Sequence, residues 1–201
     1  MLNLAPLPEG AAADHFEAYS HRLATLLSGQ DWAGAVALAN ELLDCWKTGR
    51  QVFLVGNGGS AGTALHLANE LLYPVSKRKG SGLRAQALLA NPATVTCLAN
   101  DEGYDQIFAY QLAALASPRD VLIAISASGN SRNIVLALLE ARQIGMRTFA
   151  LVGLGGGEAK NLADVAVHFR TSDIQLAEDA HMIVGHMVLQ YLHARRDGAG
   201  L

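Results

Sequence analysis

The sequence predicts a three-layer α/β/α sandwich, in which helices cover both faces of a five-stranded parallel sheet. Two observations support this prediction. Five short apolar runs lack the polar alternation of half-exposed strands, which is typical of strands buried on both faces. Segments with helical spacing separate these runs, as the crossover connections of a parallel sheet require. The predicted strands cover 51–55, 85–89, 121–125, 147–152 and 165–169.

Two extra helices precede the first strand, over residues 11–28 and 31–48. The first helix places its large apolar side chains on one face. The second has an unusually broad apolar face, which indicates burial on more than one side, for example between subunits. We therefore assign residues 1–49 to packing and oligomerisation, and 50–196 to the α/β core of one domain that spans 1–201.

Helical spacing also predicts the helices between and after the strands. They cover 60–72, a segment beginning at Pro92, 104–114, 130–143, a short piece after 155–157, and 174–195. Residues 197–201 are expected to be a frayed end. The arrangement is flavodoxin-like, and in such sheets ligands bind outside the carboxyl ends of the strands, where the strand order reverses. The loops that follow Val55, Leu89, Ile125 and Val152 are therefore the expected places for a site.

Composition and charge argue against several classes of function. The chain has 201 residues, of which 51% are hydrophobic, and a net charge of -3. Its one basic run, at 77–79, is short enough to be a solvated loop, so no nucleic-acid surface is predicted. No apolar segment is long enough to span a membrane and residues 1–10 do not resemble a signal peptide, so a cytoplasmic location is expected. Cys45 and Cys97 are interpreted as buried thiols without a disulfide.

The first strand runs into a glycine-rich loop, Gly56-Asn57-Gly58-Gly59-Ser60. Glycines let the backbone approach a ligand closely, and the free N–H groups of the following helix favour an anion. Ser60 has the alternative role of a plain helix cap. The spacing also fits a loose dinucleotide fingerprint, but no acidic residue follows at the position that would hold a ribose. A nicotinamide or flavin cofactor is therefore disfavoured.

A second loop, Ser126-Ala127-Ser128-Gly129-Asn130-Ser131, follows the third strand. It places three hydroxyl groups where a helix begins, and hydroxyls with backbone N–H groups at a helix N-terminus form a phosphate cradle. The alternative is a helix cap with more hydroxyls than it needs. Because no Gly-Lys-Ser/Thr ending is present, the loop does not match a nucleotide P-loop and suits a small phosphorylated metabolite better.

Polar side chains also interrupt two otherwise apolar helices. His66 and Glu70 are four residues apart and share a helix face, and Glu178 and His186, eight residues apart, do the same. His181 is predicted to point in a different direction from His186. A polar group on an apolar helix must be paired or functional, so these residues are expected to converge on one site. For His66 alone, a buried hydrogen-bonded histidine is an equally good interpretation.

Taken together, the two loops, the run His66-Leu-Ala-Asn-Glu70, the run Asn100-Asp101-Glu-Gly-Tyr104 and the last helix resemble the sugar isomerase (SIS) domain family, and within it the phosphoheptose isomerases. The resemblance implies aldose–ketose isomerisation through an enediol(ate), with Glu70 and His186 as the acid–base pair. It also implies a homotetramer and a zinc ion held by His66, Glu70, Glu178 and His186. The implied substrate-binding residues are Asn57, Gly58, Gly59, Ser60, Asn100, Asp101, Ser126, Ala127, Ser128, Ser131 and Glu178.

The implied reaction converts sedoheptulose 7-phosphate to D-glycero-D-manno-heptose 7-phosphate, which supplies heptose for lipopolysaccharide. The sequence departs from the family at Glu178, where relatives typically have Gln, so both the activity and the sugar stay open. Two alternatives remain. One is a non-catalytic scaffold, such as relatives that assist a replication initiator, and the other is a phosphosugar-binding sensor. For Asn100 and Asp101, a simple Asn-Asp turn is an equally good local interpretation.

Overall fold

The computed structural model describes Gly10 and residues 12–196 of the chain. Eight α-helices and five strands are described there, in the order α1 (Ala12–Ser28), α2 (Ala33–Thr48), β1 (Gln51–Gly56), α3 (Gly59–Leu72), β2 (Arg84–Ala87), α4 (Pro92–Asp101), a 3-10 helix (Tyr104–Gln106), α5 (Ala109–Leu115), β3 (Val121–Ser126), α6 (Arg132–Ile144), β4 (Arg147–Val152), α7 (Gly157–Leu162), β5 (Val165–His168) and α8 (Ile174–His193). The predicted fold class is confirmed. The predicted frayed end at 197–201 lies outside the described residues.

The five strands form one parallel sheet in the order β2-β1-β3-β4-β5. The chain leaves β1 toward β2 at one edge and then returns to place β3 on the other side of β1, so the order reverses between β1 and β3. In a sheet of this kind the loops on either side of that reversal form the ligand crevice. Gly56 is in register with Ile125, and Ser126 with Val152, so three strands end side by side.

Two apolar layers enclose the sheet. Val52 and Leu54 face one layer, which α2, α3 and α8 provide, whereas Phe53 and Val55 face the other, which α5, α6 and α7 complete. The central strands are buried on both faces, which explains their lack of polar alternation. The edge strands β2 and β5 are only partly buried. The prediction of burial on both faces is therefore wrong for these two strands, because a sheet edge has a neighbouring strand on one side only.

Two further expectations are corrected. The helix predicted over 104–114 is a 3-10 turn followed by α5, because the buried pair Ile107 and Phe108 interrupts it and turns into the core. Cys97 is exposed, since α4 lies on the surface and buries none of its residues, whereas Cys45 is buried as predicted. The apolar face of α1 packs only partially, and Phe16 is 67% exposed. No described helix is long and apolar enough to cross a membrane.

Candidate active site

The first loop forms the start of α3 at the carboxyl end of β1. Gly58 has a positive φ of 53° and precedes the first residue of α3, a conformation that a side chain would strain. Gly59 lies against Glu178 of α8, because a Cβ added at Gly59 would be 2.5 Å from Glu178 Oε1. The glycine at 59 therefore leaves the space that the Glu178 carboxylate fills. Ser60 is buried within the first turn of the helix.

The serine loop holds its hydroxyl groups in an orientation that suits an anion. Gly129 N–H donates to Ser126 Oγ at 3.1 Å, and Asn130 N–H donates to Ser128 Oγ at 3.2 Å. Each serine oxygen thus acts as an acceptor toward the loop, which leaves its O–H proton for another partner. Ser131 precedes α6 and makes no capping hydrogen bond through its side chain. The alternative of a plain cap places the cap at Ser128 or Asn130, and the bond from Asn130 N–H to Ser128 Oγ is of that local kind.

A third loop, residues 153–157, and the first turn of α7 support the serine loop through backbone hydrogen bonds. Gly153 N–H donates to Ala127 O at 3.0 Å, and Ala159 N–H donates to Gly129 O at 2.9 Å. Gly129 has a φ of 67°, and a Cβ there would collide with the carbonyl of Gly156. Sequence reasoning named this loop only as a place to search. The structure gives it a positioning role.

His66 of α3 and His186 of α8 form a close pair. Their Nε2 atoms are 2.9 Å apart, and the ring planes meet at 75°. Because one nitrogen donates and the other accepts, at least one ring is neutral. Gly185 allows this approach, since α8 packs there directly on Leu67 of α3. His186 is exposed in the described chain, although apolar residues flank it in α8.

Neither predicted carboxylate forms a hydrogen bond with this pair among the described residues. Glu178 makes no hydrogen bond among the described residues, and burial, with a smaller effect of Asp179, raises the pKa of its carboxyl. Glu70 is one turn beyond His66 and borders a surface groove with Lys77 and His193. Within the described part of the chain, no three His, Cys, Asp or Glu side chains are arranged to hold a metal. Two of the four predicted zinc ligands, the histidines, converge; the full set does not.

The predicted substrate residues Asn100 and Asp101 lie at the exposed end of α4. Asn100 Nδ2 donates to Asp101 Oδ1 at 2.7 Å, so the two side chains bond to each other. The segment reaches the first loop through Tyr104, whose hydroxyl donates to Asn57 Oδ1 at 2.8 Å. Asn57 is also paired with Asn133 of α6 through two amide hydrogen bonds, of 2.8 and 2.9 Å. Sequence reasoning missed both Tyr104 and Asn133 as site residues, although each lies in or beside a run that it singled out.

His181 is fully buried, whereas His186 on the same helix is exposed, so the two side chains point in different directions, as predicted. The His181 ring lies 6.0 Å from the ring of Phe169, centroid to centroid. Neither ring nitrogen has a hydrogen-bond partner that meets ordinary geometric limits. Burial lowers the pKa of His181 to about 4, against a smaller opposing effect of the Val152 backbone. The imidazole is therefore neutral at physiological pH.

A parallel sheet whose order reverses between a glycine loop and a serine loop, with polar groups from α3 and α8 beside them, defines an α/β domain with a crevice for a small phosphorylated ligand. Residues 15–153 match the SIS domain family, and the chain belongs to that family, in its phosphoheptose isomerase branch. A phosphoheptose isomerase of Akkermansia muciniphila is 40% identical over 149 residues, covering 73% of this chain and 77% of that protein.

A second phosphoheptose isomerase, from Geotalea daltonii, is 36% identical over 181 residues, covering 90% of this chain and 94% of its own. The solved structure of a phosphoheptose isomerase from Francisella tularensis has a TM-score of 0.85 to this chain at 28% identity. That match covers 92% of this chain and all of the other. The resemblance inferred from the loops is thus confirmed over nearly the whole length.

Proposed function

We propose that the protein is a phosphosugar aldose–ketose isomerase that converts sedoheptulose 7-phosphate to D-glycero-D-manno-heptose 7-phosphate. The observation that carries the proposal is the likeness to phosphoheptose isomerases, which extends over 90% of the chain in one relative and includes both loops. The free hydroxyl protons of the serine loop support a phosphate at the start of α6. The product would supply heptose for a surface polysaccharide.

The proposed chemistry uses one acid–base pair. In the ketose, a base removes a proton from carbon 1 while an acid protonates oxygen 2, which gives a neutral enediol. Return of a proton to carbon 2 and loss of the proton from oxygen 1 then produce the aldose. Glu70 and His186 are the proposed pair. Because Nε2 of His186 is engaged by His66, Nδ1 is the nitrogen left to exchange protons with the substrate.

A zinc ion is part of the proposal, with His66, His186, Glu70 and Glu178 as its ligands. Two imidazoles and two carboxylates form a donor set that zinc accepts. The convergent imidazoles support it, whereas the carboxylates complete no metal-binding cluster with them among the described residues. When bound, zinc would polarise a substrate oxygen as a Lewis acid. Since Glu70 and His186 are also the proposed acid–base pair, a bound ion would compete with the proton transfers described above. Elemental analysis of zinc-reconstituted protein tests the zinc site: wild type should retain the metal after dialysis, and His66→Ala should lose it.

A homotetramer in the cytoplasm completes the proposal. Large apolar side chains are exposed on the helices of one layer and on α1, which supports a subunit interface there. They are Phe16, Val36, Leu65, Leu72, Tyr73 and Met187. Both cysteines are free thiols, as expected in a reducing compartment. Light scattering on the purified protein should give four times the chain mass, and a monomer would contradict the interface.

The deciding experiment follows sedoheptulose 7-phosphate by NMR, with and without added zinc. We expect wild-type protein to convert it and Glu70→Gln to lose turnover by at least about 100-fold, while ligand affinity stays within about threefold. Glu140→Gln, in the last turns of α6 and outside the proposed interface, is the matched control and should keep full activity. Tight binding without conversion by wild type would instead indicate a sensor, and absence of binding a scaffold.

A further inference from the structure

The Asn57 side chain is held by the protein in a way that leaves one donor free. Its Oδ1 accepts two hydrogen bonds, from the Tyr104 hydroxyl and from Asn133 Nδ2. Its Nδ2 donates one proton to Asn133 Oδ1. An amide oxygen has two acceptor sites and an amide nitrogen has two protons, so a single N–H of Asn57 remains unused.

Asn133 anchors this network in the core. It is only 2% exposed, so its amide must find partners within the protein, and Asn57 provides both of them. Asn57 itself is half-buried and is the second residue of the glycine loop. The paired amides therefore fix the plane of the Asn57 side chain, and the unused N–H points away from Asn133.

Tyr104 joins the network from the 3-10 helix that follows α4. Its side chain is 58% exposed, and its hydroxyl joins two segments that are 47 residues apart in sequence. Gly103, just before it, has a φ of 104°, which turns the chain after α4 back toward the loop. The hydrogen bond thus ties the segment with Asn100 and Asp101 to the glycine loop.

We propose that Tyr104 is a positioning residue for substrate binding, and this inference rests on the proposed function. Its hydroxyl and Asn133 together hold the Asn57 amide so that the unused N–H donates to an oxygen of the bound sugar phosphate. Since Tyr104 is largely exposed, its hydroxyl contributes little to folding. Its effect is to hold the Asn57 donor in place before substrate binds, so that binding costs less conformational entropy.

Tyr104→Phe removes the hydroxyl and keeps the ring. Tyr110→Phe is a matched control, because Tyr110, on α5, is 46% exposed and its hydroxyl donates to Glu102, just after α4, at 2.8 Å. We expect Tyr104→Phe to raise KM for sedoheptulose 7-phosphate by about 3- to 10-fold and to leave kcat within about twofold. Tyr110→Phe should change neither, and both variants should unfold at the same urea concentration as wild type.

Equal KM values for the two variants would overturn the inference, as would a fall in kcat without a change in KM. A lower unfolding midpoint for Tyr104→Phe than for Tyr110→Phe would reveal a structural role and overturn it as well. If wild type has no turnover, the proposed function fails separately, and calorimetry with the same sugar phosphate replaces KM. A 3- to 10-fold weaker affinity of Tyr104→Phe then supports the positioning role, and equal affinities refute it.

Discussion

Gly185→Ala should separate the two histidines without touching either ring. A Cβ at Gly185 would lie 2.8 Å from Leu67 Cδ1 and 3.0 Å from its Cγ, and closer still to Cδ2. Carbon atoms in contact are normally about 3.5–4.0 Å apart, so α8 and α3 must move apart by on the order of 1 Å, or Leu67 must leave its rotamer. Leu67 is 6% exposed, which leaves it little room to move. His66 and His186 lie next to this contact, and a shift of that size removes their hydrogen bond.

The size of the effect follows from two opposing contributions. Alanine is better than glycine inside a helix by about 1 kcal/mol. Overpacking of a core contact costs about 1–3 kcal/mol. Gly62→Ala on α3 isolates the first contribution, because a Cβ there meets no atom within 4 Å. Gly185→Ala should therefore be less stable than Gly62→Ala by about 1–3 kcal/mol, which corresponds to a Tm lower by roughly 3–9 °C.

Two assays check this prediction. Urea unfolding compares the stability of the two variants, and NMR of sedoheptulose 7-phosphate compares their turnover. Gly62→Ala should keep wild-type turnover, and Gly185→Ala should lose about 10- to 100-fold in kcat, as expected for a misplacement near 1 Å. Gly185→Ala/Leu67→Ala, which removes the colliding methyl groups, should recover part of the turnover. Equal stability and equal turnover in Gly62→Ala and Gly185→Ala would refute the packing argument.

Two further predictions concern the serine loop and the buried histidine. Ser128→Ala removes one hydroxyl donor to a phosphate and should weaken sugar-phosphate affinity, measured by calorimetry, about 10-fold. Ser117→Ala, in the turn that precedes β3 at the amino ends of the strands, should leave the affinity unchanged. Unchanged affinity in Ser128→Ala would contradict the cradle. The pKa of His181 is lowered to about 4 in the folded protein, so only the unfolded chain takes up its proton as pH falls from 6.5 toward 4. Stability should therefore fall by about 2 kcal/mol between pH 7 and 5 in urea titrations. His181→Leu should remove most of this loss and exposed His21→Leu should not; equal pH dependence in the two variants would contradict the assignment.

The parallel sheet could be predicted because its central strands are buried on both faces. A run such as Val52 to Val55 has to be apolar throughout when both layers pack on it, so the pattern reports the topology. The edge strands were harder to place. β2 carries exposed Arg84 and Gln86, and its predicted boundaries were displaced by one or two residues. Because an edge strand is packed on fewer sides, fewer of its residues have to be apolar, and the pattern marks its ends less clearly.

The loops at the carboxyl ends were predictable for a related reason. Glycines and serines that follow an apolar run mark the end of a strand and the start of a helix, and parallel strands bring these ends together. Those local signals located Gly58 and Ser128. They could not show that residues 153–157 support the serine loop, because the contact between Gly129 and Gly156 depends on how β3 and β4 align in space.

Long-range side-chain geometry accounts for the rest of the site. The sequence placed His66 and His186 on suitable helix faces, but their pairing requires Gly185 to bring α8 onto Leu67, a contact between residues more than 100 positions apart. The Asn57 network likewise depends on a long-range partner that local sequence does not reveal. Asn133 lies in the first turn of α6, where no local pattern marks it, and it is buried with its amide paired to one specific amide, that of Asn57. A polar residue can be assigned to a site from sequence only when its partner is also known, and that partner is fixed by the fold.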